Sequence, residues 1–248
     1  TYFKLSIIEV FKKYDKVLYL DGDMIIKSDI SEIIYAQGYE TIEDRKNQEL
    51  FDEAIDIASK ADIAVVFVGL PEAFESEGYD REHMRMPNCQ NELISSIAKV
   101  QKNTVVILHN GSPVEMPWAD EVSAILEAYL GGEGVGTAEV SLLFGDANPC
   151  GKLAESFPLK LSDNPSYLFY HGNGKRTEYR EGVFVGYRYY DSKKMNVRYP
   201  FGHGLSYTTF MYDNLQISKG EILDNEELKI SFDVTNTGKM AGKETVQL

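Results

Sequence analysis

The stretch that decides the fold is "IAVVFVG", residues 63–69, an apolar run without polar alternation. Such a run predicts a β-strand that is buried on both faces, as in a parallel sheet covered by helices. Similar runs follow at "TVVIL" (104–108) and "AIL" (124–126), and amphipathic segments separate them. The alternation of strands and helices predicts an α/β fold with a mostly parallel sheet.

Helical periodicity is clear on both sides of this strand. The first helix is predicted over residues 45–60, with an apolar face formed by Leu50, Ala54, Ile57 and Ala61. A second helix is predicted over about 89–100. The glycine-rich "GGEGVG" (131–136) leads into a third. Residues 210–248 instead alternate as a β region, and their last part, 228–248, predicts two strands around a turn.

Composition and charge restrict the classes of partner. The chain has 248 residues and a formal net charge of −14. Phosphates of nucleic acids and anionic lipids repel so acidic a chain, so we expect neither nucleic acid nor membrane as a partner. No apolar run approaches the roughly 18 residues that a membrane span needs.

Cys89 and Cys150 lack metal-type spacing and are expected to pack as small apolar residues.

The loop "PEAFESEGYDREHMRMP" (71–87) is the strongest candidate for a site. It follows a predicted buried strand, and α/β sheets place their functional loops at the carboxyl ends of strands. Glu77 precedes Gly78, whose backbone bends freely, and the loop's aromatic rings suit stacking on a sugar. A carboxyl group partly screened from water stays protonated near neutral pH and can donate to a leaving oxygen. The alternative interpretation is a solvated, charged loop.

Three segments, 68–94, 111–158 and 179–210, resemble the C-terminal half of glycoside hydrolase family 3 β-glucosidases. They include "ESEGYDREHM", "GGEGVGTAEVSLLFGDANPCGKLAESFP" and "YPFGHGLSYTTF". The resemblance covers roughly residues 45–248. It implies an α/β sandwich domain over 36–209, truncated at its start, and the beginning of a fibronectin type III-like domain over 210–248.

The resemblance also implies an activity. Family 3 enzymes hydrolyse β-glycosides with retention, using an aspartate nucleophile from an N-terminal (β/α)8 barrel and an acid/base glutamate from the α/β sandwich. The "EGYDR" segment maps that glutamate onto Glu77, with Glu75 as the nearest competitor. The implied substrate is a terminal β-D-glucoside or an oligosaccharide, with no cofactor or metal. No barrel or nucleophile segment is found here, so we expect a fragment with almost no turnover alone. The alternative is a non-catalytic docking or carbohydrate-binding module.

A different resemblance concerns residues 1–33. The stretch "LYLDGDMII" (18–26) is similar to glycosyltransferase family 8, whose Asp-x-Asp binds a divalent metal and a nucleotide-sugar diphosphate; Asp21 and Asp23 match it. Hard carboxylate oxygens suit Mg or Mn. The sequence therefore predicts a chimera joined near residues 34–44, with 1–35 a foreign segment that docks loosely beside the sheet or not at all. Metal-dependent glycosyl transfer is the alternative function.

Other motifs admit two interpretations each. The cluster "GGEGVG" resembles a phosphate loop but is expected to be a strand-to-helix turn. The segment "REGVFVGYRYYD" (180–191) either lines a sugar site or packs the domain against its neighbours. His203 stands between two glycines, where a turn is expected, and Asn110 begins a glycosylation triplet. Two further histidines, His83 and His109, lack spaced partners for a metal.

Overall fold

The computed structural model of the protein describes residues 24–27 and 33–247. A five-stranded sheet with the order β2-β1-β3-β4-β5 forms its centre. The strands are β1 (Met24–Lys27), β2 (Ile33–Ile34), β3 (Ala64–Gly69), β4 (Thr104–His109) and β5 (Ala124–Glu127). Strands β3, β4 and β5 are parallel, which confirms the predicted α/β class with a largely parallel sheet.

Three helices follow the predicted strand–helix alternation. They are α1 (Gln48–Lys60), α2 (Asn88–Val100) and α3 (Val135–Leu143). The side chain of Asn47 begins α1 by accepting from the backbone N–H groups of Glu49 and Leu50, as an N-cap does. None of the helices within the described ranges combines the length and the apolar character that crossing a membrane requires.

The apolar face of α1 is rotated from its predicted position. The buried residues are Phe51, Ala54 and Ala58, whereas Ile57 and Ala61 are partly buried beside them. Phe51 is fully buried and belongs to the same hydrophobic core cluster as Ala54 and Ala58. The prediction was correct about the helix and about Ala54, but it chose the wrong neighbouring row of side chains.

The hydrophobic core is formed by the sheet together with α1 and α2. On α2 the inward residues are Leu93, Ile94 and Ile97, as predicted. Trp118, from the segment between β4 and β5, is fully buried, and its indole N–H donates to Asn91 at 2.8 Å. A buried aromatic residue with a satisfied polar atom ties this connecting segment to α2.

One edge of the sheet is antiparallel. Strand β1 pairs with β3, where Met24 is opposite Val66, and with β2 on its other side. The hypothesis that the segment does not dock at all is therefore wrong for residues 24–27, because their backbone belongs to the continuous sheet. A strand in this position protects the edge of β3, which would otherwise expose unpaired backbone groups. The rest of the N-terminal segment up to residue 23, including the Asp21–Asp23 pair, lies outside the described residues.

The second half of the chain contains shorter elements. Strands β6 (Phe157–Pro158) and β7 (Val197–Tyr199) pair with each other, and α4 (Tyr187–Lys193) lies between them in sequence. Strands β8 (Phe210–Ile217) and β9 (Ile230–Asn236) form an antiparallel sheet. The predicted second strand after residue 237 is wrong within the described residues, since β9 pairs with the preceding β8 and residues 239–247 form no strand.

Candidate active site

The carboxyl ends of β3, β4 and β5 meet at one edge of the sheet, where the strands end at Gly69, His109 and Glu127. The backbones of Gly69 and His109 approach so closely that a Cβ on the glycine would lie 2.3 Å from the carbonyl oxygen of His109. No larger residue fits this position without a shift of the backbone. The loops 70–87 and 110–123 both leave from this edge, so their polar side chains converge there.

Glu75 is held firmly within this edge. Its Oε1 accepts from the backbone N–H of Gly111 at 2.6 Å, and its Oε2 accepts from the hydroxyl of Ser112 at 3.2 Å. Arg81 places Nη1 3.5 Å from the same Oε2 and donates to Ser112 Oγ at 2.6 Å. The side chains of Glu75 and Arg81 are only 22% and 16% exposed, so water screens their contact weakly. Both carboxylate oxygens of Glu75 are therefore occupied by contacts within the protein.

Glu77 is in the opposite situation. It is exposed on the outside of the loop, and no residue of 24–27 or 33–247 forms a hydrogen bond or an ion pair with it. The following Gly78 has φ +96°, in the left-handed half of the map that favours glycine. This turn separates the exposed Glu77 from the anchored Arg81. The carboxyl group of Glu77 is consequently free to meet a ligand.

Aromatic side chains surround the Glu77 loop. Tyr79 and Tyr170 are each 49% exposed. The hydroxyl of Tyr170 donates to Asp80 Oδ1 at 2.7 Å, and this hydrogen bond raises the pKa of Tyr170. The ring of Phe74 contacts His83 edge-on, with centroids 5.5 Å apart. Half-exposed rings beside a free carboxyl group form a surface on which a sugar ring can stack.

A second polar group lies at the same edge. Asn110 is fully buried and donates through Nδ2 to the carbonyl oxygen of Ser112 at 3.0 Å and to Glu127 Oε2 at 3.3 Å. Burial raises the pKa of Glu127 to about 7, although hydrogen bonds from Tyr129 and Asn110 oppose this rise. Because Asn110 is enclosed, the glycosylation triplet that it begins is not accessible in the folded chain.

Beneath the edge, His109 meets a buried glutamate of α3. Glu139 is 4% exposed, and its Oε1 lies 3.2 Å from His109 Nε2. This separation is that of an ion pair, but burial raises the pKa of Glu139 to about 7 and lowers the pKa of His109. Both shifts favour the neutral forms of the two groups, because burial removes the water that would stabilise their charges.

Two of the remaining motifs have the local structures that were predicted. The cluster "GGEGVG" forms a short 3₁₀ turn, Gly132–Gly134, that leads from β5 into α3. His203 lies in a turn in which its N–H donates to the carbonyl oxygen of Pro200, and its ring stacks on Tyr199 with centroids 4.8 Å apart. Within the described residues, no group of three His, Cys, Asp or Glu side chains is placed to hold a metal ion.

The segment 180–191 presents an apolar surface. Val183, Phe184 and Val185 are 70%, 50% and 52% exposed. Tyr187 stacks on Phe201 with centroids 4.6 Å apart, which fixes the start of α4. Such exposure of adjacent apolar side chains is typical of a surface that packs against another protein element. Between the two interpretations of this segment, its exposure favours packing.

Comparison with known proteins gives the family. The profile of the glycosyl hydrolase family 3 C-terminal domain matches residues 7–207. The chain therefore belongs to glycoside hydrolase family 3, through this domain. The matched range includes residues 7–33, for which the sequence predicted a glycosyltransferase family 8-like segment. The junction near residues 34–44 and the domain boundaries therefore stay predictions.

Individual relatives are β-glucosidases by name. The chain is 52% identical over 235 residues to thermostable β-glucosidase B of Acetivibrio thermocellus, covering 95% of this chain and 30% of the relative. It is 46% identical over 205 residues to probable β-glucosidase I of Emericella nidulans, covering 81% of this chain and 24% of the relative. The chain thus spans about a quarter to a third of the length of these relatives.

Solved structures of the family share this fold. A β-glucosidase of Bifidobacterium adolescentis has a TM-score of 0.77 at 42% identity, over 82% of this chain and 30% of that one. The β-glucosidase of Kluyveromyces marxianus in complex with glucose has a TM-score of 0.73 at 44% identity, over 80% of this chain and 24% of that one. These similarities agree with the α/β architecture observed here.

The sequence interpretation missed the partners that distinguish the two glutamates. Gly111 and Ser112 bind Glu75, and Tyr170 binds Asp80, although both pairs are far apart in sequence. One signal was present: the Asn-Gly-Ser triplet begins at Asn110, two positions after the end of the apolar run 104–108, and therefore at a predicted carboxyl end of the sheet. No comparable signal pointed to Tyr170.

Proposed function

We propose that this chain is the C-terminal part of a retaining β-glucosidase and that Glu77 is its general acid/base for the hydrolysis of terminal β-D-glucosyl residues. The observation that carries the proposal is the contrast between two nearby carboxyl groups. Glu75 is anchored by Gly111, Ser112 and Arg81, whereas Glu77 is exposed on the rim with no partner among the described residues. A group that exchanges a proton with substrate must be within reach of it.

The proposed reaction needs two carboxyl groups. In a retaining mechanism they lie about 5–5.5 Å apart across the glycosidic bond. Protonated Glu77 gives its proton to the glycosidic oxygen while a nucleophilic carboxylate attacks the anomeric carbon. Ionised Glu77 then takes a proton from the water that cleaves the glycosyl-enzyme intermediate. We assign the nucleophile to an N-terminal (β/α)8 barrel, for which the greater length of the relatives leaves room.

A hybrid enzyme tests this assignment. In it, the present chain replaces the 235 matched residues of the Acetivibrio thermocellus relative, whose remaining length supplies the other domains. The hybrid is expected to hydrolyse phenyl β-glucoside, and Glu77→Gln is expected to lower kcat/KM by about 10²–10⁴-fold, the usual contribution of a general acid. Full activity of the Glu77→Gln hybrid would refute the proposal.

The isolated chain gives a complementary result. We expect almost no turnover of an aryl β-glucoside, because the nucleophile is not among its assigned groups. Hydrolysis that appears on mixing with a separately produced barrel would show that the chain docks and completes the site. Clear activity of the chain alone that Glu77→Gln abolishes would mean that it contains its own nucleophile, contrary to the proposal.

We also propose that residues 210–248 begin a fibronectin type III-like domain. Strands β8 and β9 expose several apolar side chains that further strands of a sandwich would cover: Met211, Leu215, Ile217, Ile230 and Val234. A two-stranded sheet is marginally stable by itself. Extending the chain with the following residues of the relative should therefore protect the amides of β8 and β9 from hydrogen exchange.

A second function is tied to the N-terminal segment. Asp21 and Asp23 directly precede β1 and match the metal-binding pair of glycosyltransferase family 8. Calorimetric titration with Mn²⁺ and a nucleotide sugar separates the two functions, since tight binding would favour glycosyl transfer. Genomic DNA around codons 30–45 tests whether the segment is joined to this chain as predicted.

A further inference from the structure

The segment 75–81 is closed into a loop by contacts at its two ends. Glu75 and Arg81 contact each other at 3.5 Å, and both bind Ser112. The hydroxyl of Ser112 accepts from Arg81 at 2.6 Å and donates to Glu75 at 3.2 Å, so it bridges the guanidinium group and the carboxylate through hydrogen bonds. The exposed Glu77 lies inside this closed segment.

The contacts with Gly111 and Ser112 connect the loop to the segment that follows β4. Gly111 and Ser112 follow the end of β4 at His109 and the buried Asn110, whose Nδ2 donates to the carbonyl oxygen of Ser112 at 3.0 Å. A Cβ on Gly111 would lie 2.8 Å from Glu75 Oε1, which shows how closely the carboxylate approaches this backbone. Hydrogen bonds of charged groups with little water access are the strong ones.

We infer that Glu75 and Arg81, joined through Ser112, form a clamp that positions Glu77 for proton transfer. This inference rests on the proposed acid/base role of Glu77. Neither clamp residue touches substrate; both act through the position of the loop. Because Gly78 leaves the backbone free to rotate, the clamp supplies the restraint that the turn lacks. General acid catalysis depends on placing the acid within hydrogen-bond reach of the leaving oxygen.

Substrates with different leaving groups distinguish a positioning role of the clamp from a merely structural one. A 2,4-dinitrophenolate departs without a proton, whereas a phenolate departs slowly unless an acid protonates it. In the hybrid enzyme, Glu75→Gln is expected to lower kcat/KM for phenyl β-glucoside by about 10- to 100-fold, as misplacement of a catalytic group does. For 2,4-dinitrophenyl β-glucoside the loss should stay below about 3-fold, since that step needs no acid.

A matched control is available in the same loop. Glu72 is exposed, and Glu72→Gln removes one negative charge without touching the clamp. It should change neither rate by more than about 2-fold, as surface substitutions do. The double variant Glu75→Gln/Arg81→Gln should lose no more than about 3-fold beyond the worse single variant, because members of one network are not additive. Losses that multiply would show independent roles and overturn the clamp.

A second measurement does not depend on the hybrid. In the full chain, trypsin should cleave slowly after the clamped Arg81. Glu75→Gln is expected to raise the rate of that cut by about 10-fold, through local opening of the loop. Cleavage after the exposed Arg85 should stay unchanged, as should both cuts in Glu72→Gln.

The outcomes distinguish the two ideas. If Glu77→Gln leaves the hybrid fully active, the proposed function fails. If the hybrid depends on Glu77 but Glu75→Gln slows both substrates equally, or changes neither, the clamp is refuted and the proposed function stands. An unchanged tryptic cut after Arg81 in Glu75→Gln would also refute it.

Discussion

The burial of the Glu139 carboxyl group allows a quantitative prediction of how the free energy of unfolding depends on pH. Its pKa rises from an ordinary 4.5 to about 7 because of burial. Between these values the folded chain binds more protons than the unfolded chain, so stability falls as pH rises through this window. One pKa unit corresponds to about 1.4 kcal/mol, so the penalty above pH 7 is on the order of 3 kcal/mol.

The substitution Glu139→Gln keeps the shape and removes the ionisation. The variant should exceed the parent in unfolding free energy by less than about 1 kcal/mol at pH 5 and by roughly 3 kcal/mol at pH 8. For a chain of this size, the larger difference corresponds to a rise in Tm of roughly 6–12 °C. Thermal unfolding followed by circular dichroism across pH 5–8 measures it.

The control is Glu53→Gln, which removes a charge from the exposed side of α1. It should shift Tm little and equally at every pH. A Glu139→Gln variant that is less stable than the parent, by the same amount at pH 5 and pH 8, would mean that Glu139 is ionised and paired with His109. The argument from burial would then be wrong.

Three further predictions concern stability and reactivity. Trp118→Ala should cost about 3–5 kcal/mol in chemical denaturation, because the ring is fully buried. At pH 8, iodoacetamide should label Cys150 much faster than Cys89, since Cys89 is buried and burial raises its pKa to about 12; equal labelling would contradict this. Asp120→Asn should cost less than about 1 kcal/mol despite two 2.9 Å contacts with Arg198, because Asp120 is 84% exposed.

Several elements were predictable because their signals are local. The apolar run 63–69 became β3, and the inward face of α2 matched its periodicity. On α1 the signal was ambiguous, since Leu50 and Phe51 are neighbours and either could begin an apolar row. Burial in the folded core selected Phe51, and helical periodicity alone does not determine which of the two rows is buried.

The candidate site was predictable only in part. The position of the loop 71–87 at a strand end pointed to this loop, and the family resemblance favoured Glu77 over Glu75 within it. The physical difference between them depends on Gly111 and Ser112, which lie more than thirty residues away in sequence. The same holds for Glu139, whose pKa depends on burial near His109. Such contacts form only when separate loops meet at one edge.

The sequence by itself determined the α/β class and the order of strands and helices within 45–143, and it predicted the loop that is proposed to carry the acid/base group. These follow from periodicity and from motifs a few residues long. The tertiary structure decided which carboxyl groups are buried, which is anchored and which is exposed. The reason is that desolvation and hydrogen bonding depend on distances between parts of the chain that only folding brings together.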